Sequence, residues 1–185
     1  MKDLLVCGID DGYFPLSFKG RRGYTVLLAA CFKNSKLVSV NFDTILVDGN
    51  DATQKLFKIT EKSEVLLLDG ITFGGFNYVN PETVGNNGFS YIVFYSQMPN
   101  VNEVEKALRK HFNDERICII LNTITSLTKL PTRKGEVFVM SNLPLNEVSE
   151  IINFYQFFVK EPEPLRTAHI IASSLSKFLL RKKLT

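Results

Sequence analysis

The chain has 185 residues, 45% of them hydrophobic, a net charge of +3 and a pI near 8.7. This size and composition predict one domain over residues 1–185 with a substantial apolar core. No apolar run approaches the roughly 20 residues that cross a bilayer, and Asp3 comes too early for a signal peptide. The sequence therefore argues against membrane and secreted proteins and predicts a cytoplasmic one. The charge permits an anionic partner without requiring one.

The N-terminal third predicts an antiparallel meander followed by a helix. Strand-like stretches cover residues 4–10, 25–32 and 37–47, and a turn at 34–36 pairs the second stretch with the third. Residues 51–53 then begin a short helix whose apolar face carries Leu56, Phe57 and Ile59. The cysteines Cys7, Cys31 and Cys118 are odd in number and lie in strand-like runs, so we expect reduced side chains rather than disulfides or a zinc site.

The remainder of the chain alternates between predicted strands and helices. Strands are expected over 65–68, 91–95, 117–121 and 137–140, and helices over 101–112, from Pro144, and from Pro162 to about Leu180. The continuous hydrophobicity of 65–68 predicts a parallel strand that is covered on both faces. This order predicts an α/β fold of the ribonuclease H-like type, in which a mixed sheet, with an N-terminal antiparallel meander and parallel strands, is flanked by helices.

Three of the predicted strands run directly into an acidic residue: Asp10, Asp48 and Asp69. Buried strands that are neighbours in a sheet bring such ends together beside a cleft, where the carboxylates repel one another unless a cation lies between them. Because the candidate ligands are all oxygens, Mg²⁺ or Mn²⁺ is the expected cation. The alternative is structural, since Asp followed by Gly is also a common way to end a strand in a turn.

Three further acids are candidate metal ligands. Asp11 follows Asp10 directly and points the opposite way in a strand. Asp51 is a candidate ligand as well, although its position also predicts the N-cap of the following helix. Glu163 lies in the first turn of the last helix, where an acid is also favourable for the helix itself.

The loop after Asp69 is the predicted substrate-binding segment. Its glycines would let the backbone approach a phosphate closely, so Thr72, Gly75 and Phe76 are candidate substrate-binding residues. Phe73 and Phe76 would stack on a displaced base or, alternatively, pack in the core. Basic residues that would contact phosphates, or simply lie in solvent, are Lys19, Arg21, Arg22, Lys177, Arg181, Lys182 and Lys183.

Arg166 and His169 lie three residues apart on one face of the last predicted helix. Both side chains would therefore face the same site. Arg166 is a candidate for holding a phosphate, and His169 for proton transfer in catalysis. Ordinary polar contacts within the helix are the alternative for both.

Four motifs in order resemble the archaeal domain-of-unknown-function family 99, over about residues 6 to 172. They are Gly8-Ile9-Asp10-Asp11-Gly12; Val47-Asp48-Gly49-Asn50-Asp51-Ala52-Thr53; Leu68-Asp69-Gly70-Ile71-Thr72 with Gly75-Phe76-Asn77; and Pro162-Glu163-Pro164-Leu165-Arg166 with Ala168-His169.

The resemblance implies a ribonuclease H-like fold that is distantly similar to endonuclease V, an enzyme that cuts nucleic acid near deaminated bases with Mg²⁺ held by strand-end carboxylates. Asp10 and Asp69 match that pattern. The remaining acid of endonuclease V is a glutamate, whereas the matching region here supplies Asp48 and Asp51, and both stay candidates. The Pro-Tyr-Ile-Pro wedge of endonuclease V has no counterpart, so recognition of inosine does not carry over.

These observations predict a metal-dependent endonuclease that acts on damaged, deaminated nucleic acid in DNA repair. Asp10, Asp48 and Asp69 would hold the metal that activates the attacking water. DNA, rather than RNA, is the expected partner. The alternatives are a non-catalytic nucleic-acid-binding or adaptor protein with the same fold, and a phosphatase or small-nucleotide hydrolase that uses the same acids.

Overall fold

The computed structural model describes residues 4–60 and 63–182, so Asp3 and Lys183 lie outside the described residues. The strands are β1 (Leu5–Asp11), β2 (Tyr24–Lys33), β3 (Lys36–Leu46), β4 (Val65–Asp69), β5 (Thr72–Phe73), β6 (Asn77–Tyr78), β7 (Ser90–Tyr95), β8 (Thr128–Thr132) and β9 (Gly135–Ser141). The α-helices are α1 (Ala52–Ile59), α2 (Pro81–Asn86), α3 (Val101–His111), α4 (Arg116–Thr125), α5 (Leu145–Tyr155) and α6 (Glu163–Lys182).

A mixed sheet of seven strands organises the fold, in the order β3-β2-β1-β4-β7-β9-β8. The predicted meander is present, because β1 pairs with β2 and β2 with β3 in antiparallel fashion. The chain then crosses to β4 and β7, which extend the sheet in parallel from β1. The predicted α/β class with a mixed sheet is confirmed.

Alternation along the strands divides the core into two apolar layers, one on each face of the sheet. Cys7 and Ile9 of β1 belong to the layer that α1 to α4 cover, whereas Val6 belongs to the layer covered by α5 and α6. Strand β4 is buried from Val65 to Leu68, as its continuous hydrophobicity predicts. None of the helices within residues 4–60 and 63–182 is long and apolar enough to cross a membrane.

One prediction about the elements is wrong, and some short elements were not predicted. Residues 117–121 are not a strand but belong to the N-terminal half of α4, which buries Ile120, Thr123 and Ile124 at helical spacing. A short apolar run of this kind fits either element on its own. Strand β8, which contains Pro131 at the edge of the sheet, was not predicted.

The prediction of reduced cysteines is also wrong for two of the three. Cys7 and Cys31 form a disulfide between β1 and β2. They are directly opposite each other in the antiparallel register, a pairing that sequence spacing alone does not reveal. Cys118 is free and exposed on α4.

Candidate active site

Two strand-end acids meet at one edge of the sheet. Strands β1 and β4 are parallel neighbours, with Ile9 opposite Leu68, so the residues that follow, Asp10 and Asp69, lie side by side near the ends of the two strands. Asp10 is buried, with 4% of its surface exposed. The predicted convergence of these two carboxylates is therefore present.

Helix α6 completes this site because it lies directly on β1. A Cβ atom at Gly8 would collide with the backbone of Pro164, and one at Gly12 with the side chain of Ser176. Glycine at both positions lets the helix backbone come this close, and the helix residues between these contacts reach over Asp10. A hydrogen bond of 2.7 Å joins His169 Nδ1 to Asp10 Oδ2.

The acids of this edge raise one another's pKa. Burial, followed by the charges of Asp69 and Asp11, raises the pKa of Asp10 to about 9. Burial, followed by the charges of Glu161 and Asp11, raises the pKa of Asp69 to about 7. In the absence of a cation, both groups therefore keep their protons to a higher pH than an ordinary aspartate does.

Glu161 is a site residue that sequence reasoning missed. It lies half-buried in the segment before α6, and burial raises its pKa while His169 and Arg166 lower it. The sequence prediction chose Glu163 in the same Glu-Pro-Glu-Pro run. Glu163 instead accepts a hydrogen bond of 3.2 Å from Arg166 Nε within the first turn of α6. Metal binding by Glu163 and phosphate binding by Arg166 therefore stay predictions.

The donor set of this edge fits a hard divalent cation. Carboxylates of Asp10, Asp69 and Glu161, with the imidazole of His169, are the groups that interact there, and carboxylate oxygens suit Mg²⁺ and Mn²⁺. Over residues 4–60 and 63–182, however, no three such side chains form a preassembled metal site.

Asp11 fastens the loop that follows Asp69. Its Oδ2 accepts a hydrogen bond of 2.6 Å from the amide of Gly74. Burial raises the pKa of Asp11, although the bond from Gly74 opposes that shift. Asp11 thus connects the end of β1 to the predicted substrate-binding loop.

Asp48 has a different environment from Asp10 and Asp69. Its backbone is left-handed, with φ of 56°, and its two carboxylate oxygens accept hydrogen bonds of 2.8 Å from the Gly20 amide and 2.9 Å from the Phe76 amide. A Cβ atom at Gly75 would collide with this carboxylate. Asp48 therefore connects the loop at Gly20 to the loop at Phe76 through its carboxylate. Its role as a metal ligand stays a prediction.

Asp51 is likewise occupied by structural contacts. It precedes α1 at the N-cap position but makes no side-chain cap. Its Oδ1 instead accepts bonds from the Leu46 amide and from Asn77 Nδ2, at 3.2 and 2.6 Å. Asn77 Oδ1 accepts the hydrogen bond of the Ala52 amide at the start of the helix.

Arg116, which directly precedes the segment that was predicted as a strand, is a second site residue that the sequence does not reveal. The side chain is fully buried, and its Nη1 donates to the carbonyl oxygens of Asp48 and Phe76 at 3.0 and 3.1 Å. Its Nε donates to Asp114 at 2.7 Å, and the guanidinium lies 4.1 Å from the ring centroid of Phe112. Arg116 therefore connects the backbone at Asp48 to the 70–77 loop.

A cavity of about 510 Å³ opens on the outer side of these loops. It brings together the three predicted substrate-binding residues of the 70–77 loop. Its lining consists of Lys19, Gly20, Asp48, Thr72, Gly75, Phe76, Ala107, His111 and Phe112. Phe73, by contrast, is 1% exposed and belongs to the core, as the alternative interpretation held.

Comparisons with known proteins agree with this architecture. The sequence model of the endonuclease dU family matches residues 2–176. A UPF0215 protein of Sulfurisphaera tokodaii is 49% identical over 181 residues, which cover 98% of this chain and 99% of that protein.

Two solved structures have the same fold. A protein of unknown function from Archaeoglobus fulgidus has a TM-score of 0.75 at 21% identity, with 93% of this chain and 98% of that chain covered. Ciona intestinalis endonuclease V, in complex with a 24mer DNA containing an inosine followed by a ribo-adenosine, has a TM-score of 0.55 at 17% identity, with 98% and 87% covered.

Proposed function

This chain belongs to the endonuclease dU family, and we propose that it is a divalent-cation-dependent endonuclease that cuts DNA at deoxyuridine, the deaminated form of deoxycytidine. The observation that carries the proposal is the His169–Asp10 pair set among the acids at the ends of β1 and β4. The name of the family and the fold shared with a DNA-bound endonuclease V support the choice of reaction and substrate.

Asp10 and Asp69, together with Glu161, would hold the cation. When bound, it would neutralise these carboxylates and stabilise the charge that develops on the phosphate oxygens during phosphodiester hydrolysis. Without the cation, burial and the charges of the neighbouring acids favour the protonated forms of Asp10 and Asp69, so the pKa values of both groups are raised.

His169 serves as the proton-transfer group. Its side chain is 60% exposed, so a reacting nucleotide can reach it. The hydrogen bond from Nδ1 to Asp10 orients the ring and leaves Nε2 for exchange of a proton with water or with the leaving oxygen.

The loop cavity supplies the place for the nucleotide. The backbone of the 70–77 loop, which lines this cavity, is held by hydrogen bonds to Asp48 and Arg116. Asp11 connects the same loop to β1. Thr72, Gly75 and Phe76 would contact the base or sugar while the scissile phosphate lies at the acids.

The test is cleavage of labelled oligonucleotides that carry deoxyuridine, inosine, an abasic site, a mismatch or no lesion, with Mg²⁺, Mn²⁺ or EDTA. We expect cleavage at deoxyuridine that requires the cation. Cleavage at another lesion alone would show that the proposed substrate is wrong and that the proposed endonuclease reaction is right. Binding without cleavage under every condition would instead support the non-catalytic class, and turnover of free nucleotides would support a small-nucleotide hydrolase.

A further inference from the structure

A second, mainly apolar groove lies between the connection after β1 and the C-terminal half of α6. We call it the Tyr24 groove, and its volume is about 320 Å³. Three aromatic side chains, together with aliphatic ones, form most of its walls. The residues that define it are Tyr13, Phe18, Tyr24, Ser176, Leu179 and Lys182.

The groove has one polar group that lacks a partner. Ser176 is 3% exposed, and within the described part of the chain its Oγ finds no hydrogen-bond partner. A buried hydroxyl without a partner is unfavourable, because it loses its hydrogen bonds to water. A ligand with a polar edge on an otherwise flat apolar body would satisfy it.

Basic side chains border the groove. Lys177 Nζ lies 5.7 Å from the ring centroid of Tyr13, and Lys182 Nζ lies 5.0 Å from that of Phe178. Among the described residues that line the groove, none is acidic. The border therefore suits the phosphates of a ligand whose body is aromatic.

The groove is continuous with the candidate active site along the chain. Gly12, which follows Asp11, contacts Ser176. Thr25, another groove residue, donates from Oγ1 to the Gly12 carbonyl at 2.9 Å. Tyr13, which follows Gly12 in the sequence, forms part of the groove wall. A strand bound at the acids has a short path to this groove.

We propose that the Tyr24 groove binds an unpaired base of the same nucleic-acid strand, one or a few nucleotides away from the bond that is cut. Tyr13 and Tyr24 stack on the base, the Ser176 hydroxyl bonds its polar edge, and Lys177 meets a neighbouring phosphate. Aromatic walls with a basic border are the usual means of holding single strands. This inference rests on the proposed function, since it places the groove beside the strand that the acids cut.

The experiment measures affinity rather than cleavage, so it stays readable if the chain proves inactive. Fluorescence anisotropy in EDTA would follow binding of labelled single-stranded DNA that carries one deoxyuridine and is extended stepwise on its 5′ side or its 3′ side only. For the unaltered chain we expect affinity to rise once the extension on one side reaches the groove. Tyr24→Ala should abolish that rise, a loss of roughly 5- to 100-fold for the long strand.

Ser176→Ala separates a binding role from a structural one. If the hydroxyl serves only the fold, its removal relieves a buried polar group and leaves affinity unchanged, whereas the proposal expects a several-fold loss of affinity for the long strand. Lys177→Ala should also lower the dependence of log affinity on log salt by about one unit. Phe154→Ala, which removes an exposed aromatic side chain of α5 that does not line the groove, is the control and should keep the full rise.

Equal affinities of Tyr24→Ala, Ser176→Ala and the unaltered chain for every strand length would overturn the proposal. So would a change in sedimentation of the chain alone on Tyr24→Ala without a change in DNA affinity, because the groove would then be a contact between copies. A failure of cleavage at every lesion, with the length dependence intact, would reject the proposed nuclease and leave the groove assignment standing.

Discussion

Asp48 and Asp69 begin from the same local sequence and arrive at opposite environments. Each follows an apolar stretch and precedes a glycine. The carboxylate of Asp48 accepts two backbone amides, whereas that of Asp69 is surrounded by other acids that raise its pKa to about 7. The same dipeptide thus forms a loop clamp in one place and a charged edge in the other.

The backbone explains the difference. At Asp48 the chain adopts a left-handed φ of 56°, which turns the carboxylate toward the amides of two loops. Asp69 is still part of β4, where the parallel pairing with β1 sets it beside Asp10. An acid at a strand end therefore becomes a candidate ligand when it remains in register with a second acid-bearing strand.

The largest expected effect is that of Asp69→Asn on cleavage. The substitution keeps the shape of the side chain but removes a charge that would hold the cation. We expect a loss of roughly a thousandfold in the single-turnover rate, since cation stabilisation of the transition state amounts to several kcal/mol. Rates should be measured on deoxyuridine DNA with Mg²⁺.

Asp48→Asn is the matched control for this experiment, because it makes the same chemical change at the other strand-end Asp-Gly. It should retain most of the rate once the folded fraction is taken into account. A thousandfold loss in Asp48→Asn with unchanged thermal stability would reinstate Asp48 as a ligand and erase the contrast between the two acids.

His169→Gln should have the next largest effect. Glutamine can keep a hydrogen bond to Asp10 but cannot exchange a proton near neutral pH. We expect about a hundredfold lower rate, within the range of general acid–base catalysis, together with loss of one limb of the pH–rate profile. An unchanged profile would assign His169 to the positioning of Asp10 alone.

The parts of this comparison that the sequence predicts are those fixed by local pattern. Apolar stretches that end in acids place Asp10 and Asp69, and the face of α6 places His169 within reach of Asp10. Pairing across the sheet is not visible in this way. The Cys7–Cys31 disulfide joins residues that are 24 positions apart in sequence, and it depends on the register between β1 and β2.

Side-chain choice between near neighbours is equally hidden from sequence. Glu161 and Glu163 stand in the same Glu-Pro-Glu-Pro run, and the structure decides that Glu161 interacts with the acids while Glu163 pairs with Arg166. Arg116 was missed for a related reason. Its role depends on the carbonyl oxygens of two loops that lie 68 and 40 residues away in sequence.

A smaller effect is expected for the stability of Asp48→Asn. An amide offers one acceptor oxygen where the carboxylate offers two, so one of the bonds from Gly20 and Phe76 is lost and the other weakens. Hydrogen bonds to charged groups contribute about 1.5 to 3 kcal/mol each. We expect the free energy of unfolding, measured by urea denaturation, to fall by about 2 kcal/mol. The backbone should add no further loss, because Asn tolerates the left-handed conformation well.

Asp69→Asn should not show this loss. Removal of one buried acid from a repelling group leaves the cation-free protein at least as stable as before. Equal destabilisation of the two variants would mean that Asp69 also serves the fold.

A separate expectation concerns the pH dependence of stability without a cation. The folded-state pKa values of Asp10 and Asp69, about 9 and about 7, lie above their ordinary value of 3.8. Well below pH 3.8 both groups carry protons whether the chain is folded or unfolded, so the full stability is present. As the pH rises from 3.8 through 7 toward 9, the unfolded chain releases protons that the folded chain keeps, and stability falls.

Calorimetry in EDTA between pH 4.5 and 8.5 should show a Tm that falls as the pH rises. The dependence of Tm on pH should be weaker in Asp10→Asn, and also weaker in Mg²⁺, because the cation favours the ionised acids. Asp48→Asn should keep the slope of the unaltered chain, and a flattened slope in that variant would show that Asp48 shares the charge of this edge after all.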